Sequence, residues 1–109
     1  MFVITCLRDR VADRFLNINL EQNTKTACRS FVNALAAVRD DTTHPIVANP
    51  EDFDLMYLAE FDEATGKIRK NDVRVLMTGV EVFDELDFQA SDLSVRNLDL
   101  DFQTPVEEY

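Results

Sequence analysis

The spacing of apolar residues along this chain changes period several times, and each change marks an element. Phe2–Leu7 (FVITCL) is β-branched and aromatic, with apolar residues on both faces, which predicts a central strand. The charged run Arg8–Asp13 predicts a turn. Arg14–Leu20 (RFLNINL) then alternates, with Leu16, Ile18 and Leu20 on one face and Phe15, Asn17 and Asn19 on the other. That period of two predicts a half-buried strand antiparallel to the first. After a cap at Asn23 or Thr24 the period lengthens. Cys28, Phe31, Val32, Leu35 and Ala36 fall at helical spacing, which predicts a core-facing helix to about Val38. Lys25, Arg29 and Asn33 lie on another face of that helix.

The next segment, Asp40–Pro50, holds two prolines and no periodicity and reads as a loop. Pro50-Glu51-Asp52 suits a first helical turn, with proline at its start and carboxylates near its positive end. Leu55–Phe61 predicts a strand with Leu55, Tyr57, Ala59 and Phe61 on one face. Asp62–Gly66 predicts a turn, Lys67–Lys70 the start of a returning strand, Asn71-Asp72 an interruption, and Val73–Thr78 a further strand. Val80–Leu86 suits one or two helical turns. Beyond Asp87 acidic and apolar residues mix, and Leu98–Phe102 alternates like an edge strand or a docking peptide. The order β-β-α-β-β predicts an α+β fold: a small antiparallel sheet of four or more strands, one main helix packed on it, and an acidic C-terminal extension. A small closed β-barrel with one helix is the alternative, because Phe2–Leu7 and Leu55–Phe61 carry apolar residues on both faces. The expected division is an α+β core over residues 1–80 and an acidic tail over 81–109.

Charge sharpens that division. The net charge is −10, but residues 1–39 hold six basic and three acidic side chains, whereas residues 80–109 hold one and nine. The overall charge opposes nonspecific nucleic-acid binding, yet the N-terminal part is locally basic. Cys6 and Cys28 form no Cys-x-x-Cys pair and read as two buried thiols, one on a strand and one on a helix. No apolar run is long enough for a membrane span, and no secretory signal is seen at the N-terminus.

The segment HPIVANPEDFDLMYLAEFDEATGKI carries a family pattern. A proline–aspartate–aromatic step (Pro50, Asp52, Phe53) leads into a strand with Leu55, Tyr57, Ala59, Phe61 and Asp62, then a Thr65-Gly66 turn. With Cys6-Leu7-Arg8-Asp9 and the helix around Arg29–Val32, it resembles the small nonstructural protein of gokushovirus-type microviruses, phages with single-stranded DNA genomes. The likeness runs over most of residues 1–80. Ala59 stands where glycine looks typical, and the tail after Gly79 does not align. The resemblance implies a role in genome replication, in the change from duplex to single-stranded synthesis. It implies neither a capsid protein nor the rolling-circle nuclease, and it supplies no catalytic residues and no cofactor. The expected setting is the host bacterial cytoplasm.

An enzyme reading fails on inventory. His44 is the single histidine, and no nucleophile–histidine spacing or glycine-rich phosphate loop is present. Asp40, Asp41 and His44 read as a solvated loop. A single-strand binder, by contrast, needs cations for phosphates and exposed rings for bases. Arg8, Arg10 and Arg14 beside Phe15 meet that need, with Lys25, Arg29 and Tyr57 as further candidates. The competing reading makes Phe15 a peripheral core residue and pairs the arginines with Asp9 and Asp13. The acidic tail would fold over a basic groove or recruit a replication initiator or host replication factor. Alternatively LDLDF adds a strand to a sheet, which would make a homodimer natural. The second function class is an acidic protein-interaction regulator without direct DNA binding.

Overall fold

The structure, a computed structural model, describes residues 1–87. The acidic tail expected beyond Asp87, with its LDLDF strand, lies outside the described residues. β1 (Phe2–Asp9) and β2 (Arg14–Glu21) form an antiparallel hairpin. Helix α1 (Thr24–Val38) crosses over, followed by the short α2 (Pro45–Ala48) and a 3-10 turn at Pro50–Asp52. β3 (Phe53–Asp62) and β4 (Lys67–Thr78) make a second antiparallel hairpin, and residues 79–87 are helical, α3.

The four strands lie in the order β2-β1-β3-β4. This spatial order differs from the chain order, because the α1 crossover carries the chain past β1 to its free side. There β3 pairs along the whole of β1, from Phe2 opposite Phe61 to Asp9 opposite Phe53. Among the described residues the sheet is open, with β2 and β4 as its edges, so the closed-barrel alternative is overturned. Closure needs more strands than four, and here the helices bury one sheet face instead.

Polar side chains set the helix ends. Asn23 Oδ1 accepts the Thr26 N–H at 2.8 Å to cap α1. His44 Nδ1 accepts the Ile46 N–H at 3.2 Å to cap α2, with Pro45 in its first turn. At α3, Thr78 Oγ1 accepts the Glu81 N–H at 3.1 Å while Glu81 Oε1 accepts the Thr78 N–H at 2.8 Å. This reciprocal pair is the capping box written by Thr78-x-x-Glu81. Between the two partners sits Gly79, pressed against the backbone of Pro50.

The core joins Ala27, Phe31 and Leu35 of α1 to Ile46 of α2, Phe53 and Leu55 of β3, and Val82 and Leu86 of α3. The helix therefore faces inward along Ala27–Phe31–Leu35. Cys28 and Val32 are half-buried flanks, and Ala36, expected inside, is exposed. Val82 is 0% exposed and Leu86 5%, so α3 contributes to the same core. Asn71-Asp72 does not break β4. From Tyr57 to Ala59 the partner strand runs from Arg74 to Lys70, two residues longer, and the excess is absorbed as a bulge.

Candidate nucleic-acid interface

The β1–β2 hairpin end gathers the N-terminal arginines. Its turn is held by Asp9, whose Oδ1 accepts the Val11 and Ala12 N–H groups, both at 3.1 Å. Asp13 then takes a left-handed conformation (φ 54°) that aspartate tolerates better than most residues. Arg8 and Phe15 are direct cross-strand neighbours, and the Arg8 guanidinium lies 4.9 Å from the centre of the Phe15 ring. Arg8 also pairs with Asp13 at 2.8 Å. Arg10 is held more firmly. Its Nε lies 3.4 Å from Asp54 Oδ2, its Nη2 donates to the Glu51 carbonyl, and its backbone N–H donates to the Asp52 carbonyl at 2.9 Å. Asp54 is buried, and its Oδ1 has no hydrogen-bond partner among the described residues. Arg14 is exposed and makes no ion pair with any described residue.

Of the three arginines, then, one is free, one is tied to an exposed aspartate, and one is fixed over a buried one. The Arg8–Asp13 pair is partly in water, where such pairs contribute little, so a phosphate could displace Asp13. Phe15 is 49% exposed.

The face that carries Phe15 is set by a bulge. Leu16 is opposite Leu7 and Asn19 is opposite Thr5. β2 thus has two residues, Asn17 and Ile18, where β1 has only Cys6. Asn17 absorbs the extra residue in a left-handed conformation, φ 56°. The inserted residue reverses the alternation. Leu16, Ile18 and Leu20 do not share a face, as their spacing predicts. Instead Phe15, Ile18 and Leu20 share the face turned away from the helices. Asn17, Asn19 and Glu21 line a groove under Ser30 and Phe31 of α1, with a cavity of about 300 Å³.

The remaining candidates lie elsewhere. Lys25 and Arg29 are exposed on α1, in the layer behind the sheet, so the fold separates them from Phe15. Tyr57 is 4% exposed. Arg74 stacks on its ring at 4.1 Å and Asn71 Nδ2 donates to its hydroxyl at 2.9 Å. It is a buried sheet residue, not a stacking platform, which corrects its place among the candidates. Sequence reasoning missed Lys70, which the ladder puts on the same face as Ile4 and Leu20, and missed Asp54 as the anchor of Arg10. A carboxylate inside an otherwise apolar strand was the available signal for Asp54.

The other polar candidates have local duties. His44 caps α2, and Asp41 accepts the Thr43 N–H at 3.0 Å. Both thiols are free cysteines. Burial pushes Cys6 up from its ordinary pKa; burial, with the charge of Glu81 added, does the same to Cys28.

Fold and site together define a two-layer α+β protein with one open sheet face and an arginine–phenylalanine pair at its hairpin end. Residues 2–82 match the family described as Phage ORF5 protein, and the chain belongs to that family. It is therefore a phage protein, and the match spans β1 through the first turn of α3. No curated protein and no solved structure matches the chain.

Proposed function

We propose that this phage protein is a nonstructural accessory factor of DNA replication, of the gokushovirus type, that binds single-stranded DNA during synthesis of the single-stranded genome in the host bacterial cytoplasm. The observation that supports this is the Arg8–Phe15 pair, half-exposed on an uncovered sheet face with Arg14 free beside it. A guanidinium held over a ring offers a cation for phosphate and a flat surface for a base within one site. Arg10, anchored by Asp54 and Glu51, orients the hairpin end. Because the chain carries −10, binding is expected to be modest and steeply weakened by salt.

The test is fluorescence anisotropy of a labelled poly-dT oligonucleotide, titrated with the full chain at low and moderate salt. A second protein ending at Asp87, which keeps every described core residue, probes the tail. The expected result is salt-sensitive binding that tightens when the acidic residues beyond 87 are removed. Phe15→Ala should weaken it about 10-fold, the size of one lost base stack. Absence of binding by both proteins would sink the proposal. The protein-interaction regulator, acting on a replication initiator or host factor, would then be the better reading.

A further inference from the structure

β2 is built inside out with respect to its own helix layer. It turns Asn17, Asn19 and Glu21 toward α1 and leaves Ile18 71% and Leu20 55% exposed on the other side. A sheet with one face in water shows the opposite pattern, apolar toward the packed layer and polar toward solvent. The strand ladder places further apolar residues on this face; Cys6 and Met56 of the central strands are buried, and the exposed ones lie on the two edge strands. Ile4 stands beside Leu20, Met56 beside Cys6, Val75 beside Met56, and Ile68 beside Phe61. Val75 is 47% and Ile68 62% exposed. The helical core draws its sheet residues from the other face: Leu7, Phe53, Leu55 and Met77.

Phe15, Ile18, Leu20, Ile68 and Val75 together leave on the order of 500 Å² of apolar surface bare, near the upper end of what a monomer shows. Doubled across a two-fold axis, the buried area reaches about 1,000 Å², the size at which specific interfaces begin. Charge permits the same occupant: of the described carboxylates in the strand ladder only Asp54 lies on this face, so copies of a chain carrying −10 meet here with little carboxylate repulsion. The ladder places Arg8 and Lys70 on this face, and its Asp54 is buried beneath Arg10. We propose that a second copy of this chain docks here, sheet against sheet, in a two-fold dimer with the helices outermost. The contact centres on Ile18, Leu20, Ile68 and Val75. Phe15 and Arg8 sit in the cross-strand row at the hairpin end, at the margin of the contact. The proposal does not rest on nucleic-acid binding.

Sedimentation equilibrium of the full chain, up to about 100 µM, tests it. The expected result is a dimer mass. Leu20→Glu and Ile68→Glu should each give a monomer with unchanged circular dichroism, while Val80→Glu, on exposed α3, should stay dimeric. A monomeric full chain overturns the proposal, whether or not the variants fold. If removal of residues 88–109 then produces a dimer, the chain's own tail is the occupant. A dimer unaffected by both glutamates also overturns it, by placing the contact elsewhere.

Discussion

Replacing Gly79 by alanine sets two physical effects against each other, and the structure decides the sign. Gly79 opens α3, where intrinsic propensity favours alanine over glycine by at most about 1 kcal/mol. Packing acts the other way. A Cβ on Gly79 would lie 3.1 Å from the Pro50 carbonyl carbon and 3.2 Å from its Cα, with the carbonyl oxygen nearer still. All three are backbone atoms, so no side chain can swing aside. Pro50 is fixed by the 3-10 turn that feeds β3, and Gly79 by the capping box and by Val82 beneath it. Relief requires α3 to lift from the sheet, which would pull Val82 and Leu86 out of the core. Overpacking of this kind costs roughly 1–3 kcal/mol, and partial loss of two core side chains adds to it. A net loss of about 2 kcal/mol is expected, a large fraction of the stability of a small domain. In urea, followed by circular dichroism, the unfolding midpoint should fall by roughly 1–2 M, given a denaturant sensitivity of about 1–1.5 kcal/mol per molar. Gly66→Ala separates the causes. That Cβ would meet nothing within 4 Å, but φ is 75°, so the loss should be about 1 kcal/mol and Gly66→Asn should recover part of it. An unchanged or higher midpoint for Gly79→Ala would refute the close approach of α3 to Pro50.

Three further outcomes are expected. Thr78→Ala removes the side-chain acceptor of the Glu81 N–H and should cost about 1 kcal/mol, whereas Glu81→Gln keeps an acceptor and should cost a few tenths; equal losses in urea midpoint would contradict a reciprocal cap. In the native protein Cys6, 1% exposed, should not react with a thiol reagent at pH 8, and Cys28 should react slowly. Unfolding should release both, and two rapid equivalents from the folded protein would contradict their burial. Three carboxyls sit below their ordinary pKa: Asp41 through the Thr43 hydroxyl and N–H, Asp62 through the Ala64 N–H, and Glu63 through its own N–H and then the N-terminal ammonium. A lowered folded pKa gives stability that is present above the ordinary carboxylate value and is lost as pH falls through the folded one. The urea midpoint should therefore be insensitive to these groups above about pH 5 and decline below about pH 4; a flat profile down to pH 3 would count against these contacts.

Much of the fold can be read from local patterns. β1, β2, α1 and β3 sit where apolar period and turn residues place them, because each pattern follows from the repeat of its own element, and β4 does so apart from the interruption expected at Asn71-Asp72. The Asn23 cap, the proline at the start of the 3-10 turn and the Thr65-Gly66 turn are equally local. The capping box Thr78-Gly79-Val80-Glu81 is a local signal as well, but the helical turns expected there rest on Val80–Leu86 alone. Of the candidate site, the hairpin geometry brings Arg8, Arg10, Arg14 and Phe15 to one end of the sheet, as their spacing suggests.

What tertiary structure decided is what depends on neighbours. The alternation of β2 turns on the single inserted residue at Asn17, which exists only relative to the β1 ladder. One extra residue exchanges the faces of every position beyond it, so Ile18 and Leu20 leave the side shared by Leu16. Tyr57 is buried because Arg74 covers it, and Arg74 arrives through a bulge in β4. Arg10 is fixed by Asp54, forty-four residues away, and α3 joins the core because Gly79 allows its backbone to meet Pro50. Period and propensity act within about a turn of helix or a few residues of strand. The pairing of β1 with β3, and hence the order of the sheet and its open face, is a contact between segments separated by α1, which the sequence records only in the tertiary packing it selects.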